Sequence, residues 1–290
     1  MHAKTTYFPA LTMLRSGGRL IDFSTPRIMG ILNVTPDSFY RSEKFESLSD
    51  ILHTVETMLT DGADIIDVGG MSTRPGAKII DVDTELKRVI PVVEKIKQTF
   101  PQTWLSIDTV HAKVAEEAVH HGADIINDIS AGAIDTTLLD TVAALNVPYI
   151  LMHMKGLPST MQDKPVYENV VEEVFTFFIE KLQLLHSLNT YDVIIDPGFG
   201  FGKNTEDNYA LASNIKQFQL LGKPILAGIS RKSMICKLLK VNPEKALNGT
   251  TALNALLLFN KVNIIRVHDV KEAKEVLQIV SAFSNAGASN

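Results

Sequence analysis

Cysteine is nearly absent from this chain, since Cys236 is the only one in 290 residues. A single cysteine cannot form an internal disulfide, so an oxidising compartment offers the chain no such stabilisation. It lies in an apolar run from Met234 to Leu239 that predicts a helix. We therefore expect a packed thiol there and not a nucleophile.

An excess of positive charge and a long hydrophobic run are also missing. The formal net charge is -5, whereas a general nucleic-acid binder carries a basic surface, so that class is excluded. No apolar run approaches the ~18 residues of a membrane span. The N-terminus has neither a continuous apolar segment nor a small-residue cleavage site, so no signal peptide is expected. These absences predict a cytoplasmic protein without nucleic-acid or membrane partners.

The pattern of apolar residues predicts an α/β barrel. Apolar residues make up 45% of the chain, which supports a large core, and a barrel of this class takes about 250 residues. Short apolar runs alternate with amphipathic segments of helical spacing, which is typical of repeated βα units. The eight predicted strands are Ile28–Leu32, Asp64–Val68, Trp104–Ile107, Asp124–Ile126, Pro148–Met152, Val193–Ile195, Pro224–Ala227 and Ile264–Val267. We expect a single (β/α)8 TIM barrel domain over residues 1–290, with the barrel from about residue 26 to residue 282.

The two ends of the chain carry different signals. The stretch Leu11–Phe23 has Ser16, Gly17 and Gly18 between apolar flanks, which predicts a short N-terminal hairpin that plugs the barrel bottom. The last ten residues are small and polar, so we expect them to fray.

Polar side chains end nearly every predicted strand. They are Asn33, Asp67, Asp108, Asn127, His153, Asp196, Ser230, Arg266 and His268. In barrels of this class the C-terminal mouth carries the chemistry. Some of these Asp, Asn and Ser residues could be helix N-caps, but Arg266 and His268 are poor caps. We expect His153, between two methionines, to be packed and hydrogen-bonded rather than to contact a ligand.

The last two strands favour an anionic ligand. Arg266 and His268 are two residues apart on a strand and therefore share a face. The segment from Gly228 to Ser233 follows the seventh predicted strand and opens a helix, so its backbone N–H groups, with Lys232 and two serine hydroxyls, form a candidate anion or polar-ligand site. Loops after the seventh and eighth strands often bind phosphate in barrels. The residues alone therefore favour an enzyme that acts on a phosphate-bearing molecule.

Three loops are rich in glycine, proline or hydroxyl side chains. Two of them, Asn33–Phe39 and Gly69–Gly76, are long for βα connections and suit active-site loops. The third, Asp196–Lys203, is glycine-rich but lacks the Gly-Lys-Ser/Thr ending of a P-loop, so ATP binding is excluded there.

Eight ordered segments carry a family resemblance. They are Asn33–Phe39 (NVTPDSF), Asp61–Gly76 (DGADIIDVGGMSTRPG), Ser106–Thr109 (SIDT), Ile126–Ile129 (INDI), Leu151–Gln162 (LMHMKGLPSTMQ), Asp196–Lys203 (DPGFGFGK), Ser230–Ser233 (SRKS) and Arg266–Val270 (RVHDV). From Ile28 to Val270 the chain resembles dihydropteroate synthase. The resemblance implies a barrel that forms a homodimer and uses Mg²⁺. The implied reaction condenses 7,8-dihydropterin pyrophosphate with p-aminobenzoate, and it gives 7,8-dihydropteroate and pyrophosphate for folate biosynthesis.

The resemblance also implies a role for each matching residue. The implied pterin contacts are Asp108, Asn127, Met152, Asp196 and Lys232, with Asp67 in support. The implied pyrophosphate contacts are Asn33, Arg74, Arg266 and His268, and Asn33 also reaches the Mg²⁺. The implied aminobenzoate side consists of Thr73, Arg74, Pro75, Phe201 and Ser233. Asp108, Lys232 and Arg74 are the implied catalytic residues. For Met152, a plain core methionine is an equal alternative.

The first long loop departs from the family pattern. After Phe39 the family usually continues Ser-Asp-Gly-Gly, whereas this chain has Tyr40, Arg41, Ser42 and Glu43. Either Glu43 replaces the family's acid or Arg41 contacts the pyrophosphate.

Two other functions remain open at this stage. A methyltransferase barrel that uses methyl-tetrahydrofolate would share the fold and the pterin acids. A non-catalytic pterin-binding paralogue would explain the altered first loop. Release of pyrophosphate separates the synthase from both.

Overall fold

The computed structural model describes residues 12–35, 47–72, 76–156 and 165–288. An antiparallel hairpin of β1 (Met13–Ser16) and β2 (Arg19–Asp22) comes first. The eight strands that follow are β3 (Arg27–Asn33), β4 (Ile65–Gly69), β5 (Trp104–Asp108), β6 (Ile125–Asp128), β7 (Tyr149–Met152), β8 (Val193–Asp196), β9 (Leu226–Ala227) and β10 (Ile264–Val267). The α-helices are α1 (Leu48–Asp61), α2 (Val82–Thr99), α3 (Ala112–His120), α4 (Leu138–Leu145), α5 (Val170–Ser187), α6 (Thr205–Ser213), α7 (Ser233–Leu239), α8 (Leu247–Phe259) and α9 (Val270–Ala288).

The eight later strands form one parallel sheet that is nearly closed. Its order is β8-β7-β6-β5-β4-β3-β10-β9, and an isolated parallel bridge between Ile195 and Ile225 links the two edges. All eight predicted strands are confirmed, and each lies within two residues of its expected bounds. The expected (β/α)8 barrel with an N-terminal hairpin is confirmed.

Local sequence signals explain how a helix and the next strand alternate. Helix α1 begins at Ser47, whose side chain forms a capping box with Asp50. It ends at Gly62, which has a φ of 104°, a left-handed conformation that glycine adopts without a steric cost. The chain then turns directly into β4, so the helix returns the chain to the start of the next parallel strand.

The hairpin closes the bottom of the barrel, as the sequence predicts. Its turn is formed by Gly17 and Gly18, with φ of 55° and 79°, the conformation of a two-residue hairpin turn. Leu14, Ile21 and Phe23 are buried against one inward-facing residue from each barrel strand. Those residues are Met29, Ile65, Trp104, Ile125, Ile150, Ile194, Leu226 and Ile264. This apolar floor leaves only the opposite end of the barrel open to polar chemistry.

The C-terminal tail differs from its expectation. The sequence predicts fraying from Ser281 onwards, but α9 runs to Ala288. The ring of Phe283 packs edge-on against Phe259 of α8, with ring centroids 5.7 Å apart. That contact gives the last turns of the helix a tertiary anchor, and tertiary packing supplies most helical stability in proteins.

Candidate active site

The described candidate residues lie together at the C-terminal ends of the strands. Asn33, Asp108, Met152 and Asp196 are the last residues of β3, β5, β7 and β8, and His268 follows β10 directly. Asp67, Asn127 and Arg266 lie within one or two residues of the ends of β4, β6 and β10. Lys232 and Ser233 open α7 after β9. Thr73, Arg74, Pro75, Phe39, Tyr40, Arg41, Ser42 and Glu43 lie outside the described residues.

Arg266 connects two acids across the barrel. Its Nε donates to Asp67 Oδ2 at 2.6 Å, and its Nη2 donates to Asp108 Oδ2 at 2.7 Å. Asn127 Nδ2 also donates to Asp67 Oδ2, at 3.1 Å. Because the neighbouring residues Ile265 and Val267 belong to the outer apolar core, Arg266 faces the barrel axis as the strand periodicity predicts. These four residues are called the acid–arginine group below.

Each acid of this group keeps one oxygen outside these bonds. Asp67 Oδ1 and Asp108 Oδ1 are buried and have no hydrogen-bond partner among the described residues. Burial raises the pKa of Asp108 to about 7, while the guanidinium of Arg266 lowers it. A buried acceptor without a partner is unfavourable, so the two oxygens are suited to a ligand that donates hydrogen bonds.

Asp196 and Lys232 form a second charged pair of the mouth. Burial raises the pKa of Asp196, and the positive charge of Lys232 opposes that shift. Burial lowers the pKa of Lys232 to about 8, and the negative charge of Asp196 opposes it. Lys232 Nζ donates to the carbonyl oxygen of Phe199 at 2.6 Å and lies 4.6 Å from the centroid of the Phe201 ring. The site therefore presents an anionic acceptor and a cationic donor to a polar heterocycle.

Ser230 contacts both the ring and the backbone of His268. Ser230 Oγ lies 3.0 Å from His268 Nδ1 and accepts the backbone N–H of His268 at 3.3 Å. When the Ser230 hydroxyl donates to Nδ1, the proton of a neutral His268 ring is on Nε2, where it can be donated to an anion.

Gly69 keeps space open between Asn33 and Asp108. A Cβ at Gly69 would lie 3.6 Å from Asn33 Oδ1 and 3.8 Å from Asp108 Oδ2. Mg²⁺ prefers oxygen ligands and needs few from the protein when phosphates supply the rest. The amide oxygen of Asn33 fits that donor type. Among the described residues, no group of three or more His, Cys, Asp or Glu side chains is placed to hold a metal ion.

Met152 and Phe201 form part of an apolar cluster at the mouth. They are buried there with Met71, Val110 and Ile129. The arrangement is compatible with both interpretations of Met152, as a wall for a ring or as a core residue. His153 is packed as expected, because it is buried and meets the Phe177 ring edge-on at 4.9 Å.

Lys203 and Glu85 are among the buried ionisable residues that the sequence reasoning missed. Lys203 is 2% exposed, and burial lowers its pKa to about 7. Glu85 is fully buried in the first turn of α2, and burial raises its pKa to about 7. The signal for Lys203 was its place at the end of a glycine-rich loop. Glu85 had no such signal, because an acid in a first helical turn is typical of a solvent-exposed helix start.

Comparisons with known proteins agree with this geometry. The family model described as pterin binding enzyme matches residues 29–268. Dihydropteroate synthase of Escherichia coli K12 is 45% identical over 271 residues, which cover 93% of this chain and 95% of that protein.

Solved structures give the same result. Yersinia pestis dihydropteroate synthase in a sulfonamide drug complex has a TM-score of 0.90 at 40% identity, covering 94% of this chain and 99% of that chain. The chain belongs to the dihydropteroate synthase family. Xanthomonas albilineans dihydropteroate synthase, solved with 4-aminobenzoic acid, has a TM-score of 0.87 at 38% identity and covers 94% of this chain and 98% of that chain.

The dihydropteroate synthase family fold accounts for where the polar residues lie. The acid–arginine group, the Asp196–Lys232 pair and the Ser230–His268 pair all lie at the one open end of the barrel. In the described part of the chain, no helix is long and apolar enough to cross a membrane.

Proposed function

We propose that this protein condenses 7,8-dihydropterin pyrophosphate with p-aminobenzoate and releases 7,8-dihydropteroate and pyrophosphate. The observation that carries the proposal is the acid–arginine group, buried at the mouth of a barrel of the dihydropteroate synthase family. A pterin offers adjacent N–H donors and a carbonyl acceptor, and this mouth holds matching carboxylates and a lysine.

The pterin is bound by the acids and by Lys232. Asp196 accepts from the aminopyrimidinone edge, and Lys232 donates to the carbonyl oxygen of the ring. Asn127 is fixed by its bond to Asp67, so its amide is oriented before the ligand arrives. Met152, which is buried at the mouth, packs against the ring. Burial strengthens these charged contacts because the local dielectric is low.

The pyrophosphate is bound on the side of β3 and β10. His268 donates from Nε2, and Arg266 contributes guanidinium N–H groups, since neither of its bonds to the acids uses Nη1. Asn33 would hold Mg²⁺ through its amide oxygen, the only protein ligand we assign. When bound, Mg²⁺ would partly neutralise the charge of the leaving pyrophosphate.

The proposed chemistry is a dissociative substitution. The bond between the pterin methylene carbon and the pyrophosphate oxygen breaks first, and its electron pair leaves with the pyrophosphate. Asp108, whose carboxylate is held at the mouth by Arg266, stabilises the methylene cation that forms. The amine of p-aminobenzoate then attacks the carbon and releases a proton to solvent. Catalysis depends on positioning and electrostatics.

The aminobenzoate site is assigned to Phe201 and Ser233. Phe201 is buried next to Met152, and Ser233 is exposed at the first position of α7, so one offers a ring wall and the other a hydroxyl. The Xanthomonas albilineans enzyme was solved with 4-aminobenzoic acid, which supports an aminobenzoate site in this fold.

A turnover assay tests the proposed function directly. Purified protein is given 7,8-dihydropterin pyrophosphate, p-aminobenzoate and Mg²⁺, and both pyrophosphate and dihydropteroate are measured. Stoichiometric formation of the two products is expected. Methyl transfer from methyl-tetrahydrofolate without pyrophosphate release would make the protein a methyltransferase. Pterin binding without any turnover would make it a non-catalytic paralogue.

We also propose that the protein is a homodimer. Four large apolar side chains are exposed on α8 and α9: Leu256, Phe259, Ile279 and Phe283. The ring contact between Phe259 and Phe283 places part of this set on one continuous surface. Exposed apolar patches of this kind mark association surfaces.

Light scattering coupled to size-exclusion chromatography tests the dimer. Wild-type protein should elute at twice the chain mass, and Ile279→Glu should shift it to the monomer because a charge would be buried in the interface. Leu184→Glu, on the exposed side of α5, is the matched control and should remain dimeric. A monomeric wild-type protein would contradict the proposal.

A further inference from the structure

The loop that follows β8 is held in place by side chains along most of its length. This segment, residues 197–203, is called the glycine loop below. Three of its glycines, Gly198, Gly200 and Gly202, have left-handed φ of 69°, 84° and 64°. The N–H of Gly198 donates to Asp196 Oδ1 at 2.8 Å, and the N–H of Gly200 donates to Asn208 Oδ1 at 2.7 Å. Such a backbone has no regular secondary structure to fix it, so side chains must do so.

Lys203 supplies the central anchors of this loop. Its Nζ donates to the carbonyl oxygens of Gly198 and Phe201 at 2.9 and 3.0 Å, and it lies 2.9 Å from His153 Nδ1. The carbonyl oxygen of His153, at 3.2 Å, is a fourth acceptor, so the three protons of the ammonium are all used within this group. Burial lowers the pKa of His153 to about 2, so its ring is neutral and Nδ1 can accept.

Tyr167 holds the far end of the loop. Its hydroxyl donates to the carbonyl oxygen of Gly202 at 2.8 Å. The backbone packs closely here, because a Cβ at Gly202 would lie 2.2 Å from the carbonyl oxygen of Lys155. Lys203 and Tyr167 therefore hold the carbonyl groups of Gly198, Phe201 and Gly202.

The two aromatic residues of the loop are anchored differently. Phe199 is fully buried in the main apolar core, and its ring therefore holds its own backbone. Phe201 is 8% exposed at the mouth, where its ring faces the ammonium of Lys232. Its carbonyl is held by Lys203. Loss of Lys203 would release Phe201 while leaving Phe199, and the Lys232 bond to its carbonyl, in place.

We propose that Lys203 and Tyr167 are positioning residues for the aromatic amine substrate, acting through Phe201. The proposal rests on the proposed function. Among the described residues Lys203 makes no salt bridge, and the attraction of Asp196 and Asp207 only partly offsets the cost of burying its ammonium. Its hydrogen bonds all go to one loop and to His153. The cost of burying the Lys203 ammonium is therefore offset by hydrogen bonds that set the conformation of the glycine loop.

The test compares the two substrates in Lys203→Met, which shortens the side chain by one atom and removes its donors. The KM for p-aminobenzoate should rise about tenfold, which corresponds to about 1.4 kcal/mol, because loss of the bonds to the loop carbonyls loosens the ring wall. The dissociation constant for 7,8-dihydropterin pyrophosphate, measured by calorimetry, should change less than about threefold, as should kcat at saturating amine. Lys216→Met, at an exposed lysine, is the matched control and should match wild type.

Each outcome is decisive for the proposal. An unchanged KM for p-aminobenzoate in a folded Lys203→Met protein overturns it, and so does an equal loss of affinity for both substrates. If Lys203→Met does not fold, Tyr167→Phe removes only the bond to Gly202. That variant should raise the same KM about threefold with unchanged pterin binding, and an unchanged KM would overturn the proposal. Turnover by the wild-type protein tests the proposed function separately. The test of Lys203 and Tyr167 uses only the KM and dissociation constants of the variants relative to those of wild type.

Discussion

Replacing Arg266 by methionine gives the sharpest test of how the mouth is stabilised. Methionine keeps much of the length of the side chain and removes its charge and all of its donors. The exposed fractions are 16% for the Arg266 side chain, 0% for Asp67 and 5% for Asp108. The change therefore leaves two buried carboxylates without their cation.

The expected loss of unfolding free energy is about 3 kcal/mol at about pH 8, because breaking a buried pair from one side costs roughly 3–5 kcal/mol. The low end applies because Asn127 still donates to Asp67. Burial already raises the pKa of Asp108 from 3.8 to about 7, and Arg266 opposes that shift. Removal of Arg266 raises this pKa further, so the variant holds a proton on Asp108 to higher pH.

The raised pKa of Asp108 determines how the stability loss in Arg266→Met depends on pH. A carboxyl group whose pKa is raised in the folded state contributes stability at low pH that is lost as pH rises through the folded value. The gap between Arg266→Met and wild type should therefore be larger at about pH 8 than at about pH 5.5. Urea unfolding followed by circular dichroism at both pH values measures it.

Arg27→Met is the matched control for this prediction. Arg27 donates to Asp64 at 3.0 Å near the barrel bottom, with side chains 32% and 22% exposed. A partly exposed pair contributes about 1 kcal/mol or less. A loss in Arg266→Met no larger than in Arg27→Met, or an equal loss at both pH values, would refute the reasoning. Calorimetry on the same variant should show a much larger loss of affinity, relative to wild type, for pterin pyrophosphate than for a pterin without phosphates.

Two further changes test local packing and pH dependence. Gly198→Ala should destabilise by about 3 kcal/mol or more, because the new Cβ would overlap the carbonyl oxygen of His153 in a tightly packed region. Gly17→Ala has a similar positive φ and nothing within 4 Å, so it should lose only about 1 kcal/mol in the same unfolding assay. Glu85→Gln removes a buried acid whose pKa is raised to about 7. From about pH 5 to about pH 8 it should gain about 2–3 kcal/mol relative to wild type, since wild type must ionise Glu85 in the core.

These two predictions fail in recognisable ways. Equal stability of the Gly198 and Gly17 variants would mean that backbone strain, and not the crowding at His153, sets the cost. A Glu85→Gln protein whose stability follows that of wild type at every pH would mean that Glu85 titrates normally despite its burial.

The strands and the mouth were predictable for a physical reason. Barrel strands are covered on both faces, so they appear as short apolar runs that a sequence displays directly. The strand ends then place polar residues at one edge, which brought Asp67, Asp108 and Asn127 together as expected. Strand periodicity also placed Arg266 on the inner face.

The partners of these residues were not predictable. Arg266 meets Asp67 and Asp108 across 199 and 158 positions of the chain, and strand periodicity gives a direction but no partner. Lys203 looks like an exposed lysine in the sequence, and only the return of the loop over β7 buries it. The prediction that the C-terminal tail frays was wrong, because the polar composition of the tail gave no sign of the ring contact between Phe259 and Phe283.

The charges at the mouth explain how a chain of net charge -5 can bind an anionic substrate. Asp67, Asp108 and Asp196 carry the negative charges, and Arg266 and Lys232 lie beside them. Among the described residues of the mouth the acids and bases therefore nearly balance, and its donors are held in place by acids. A substrate that carries both N–H donors and phosphates can satisfy the acids with its ring and the cations with its phosphates. A simple phosphate would leave the acids unpaired, so the arrangement selects for the two groups in one molecule.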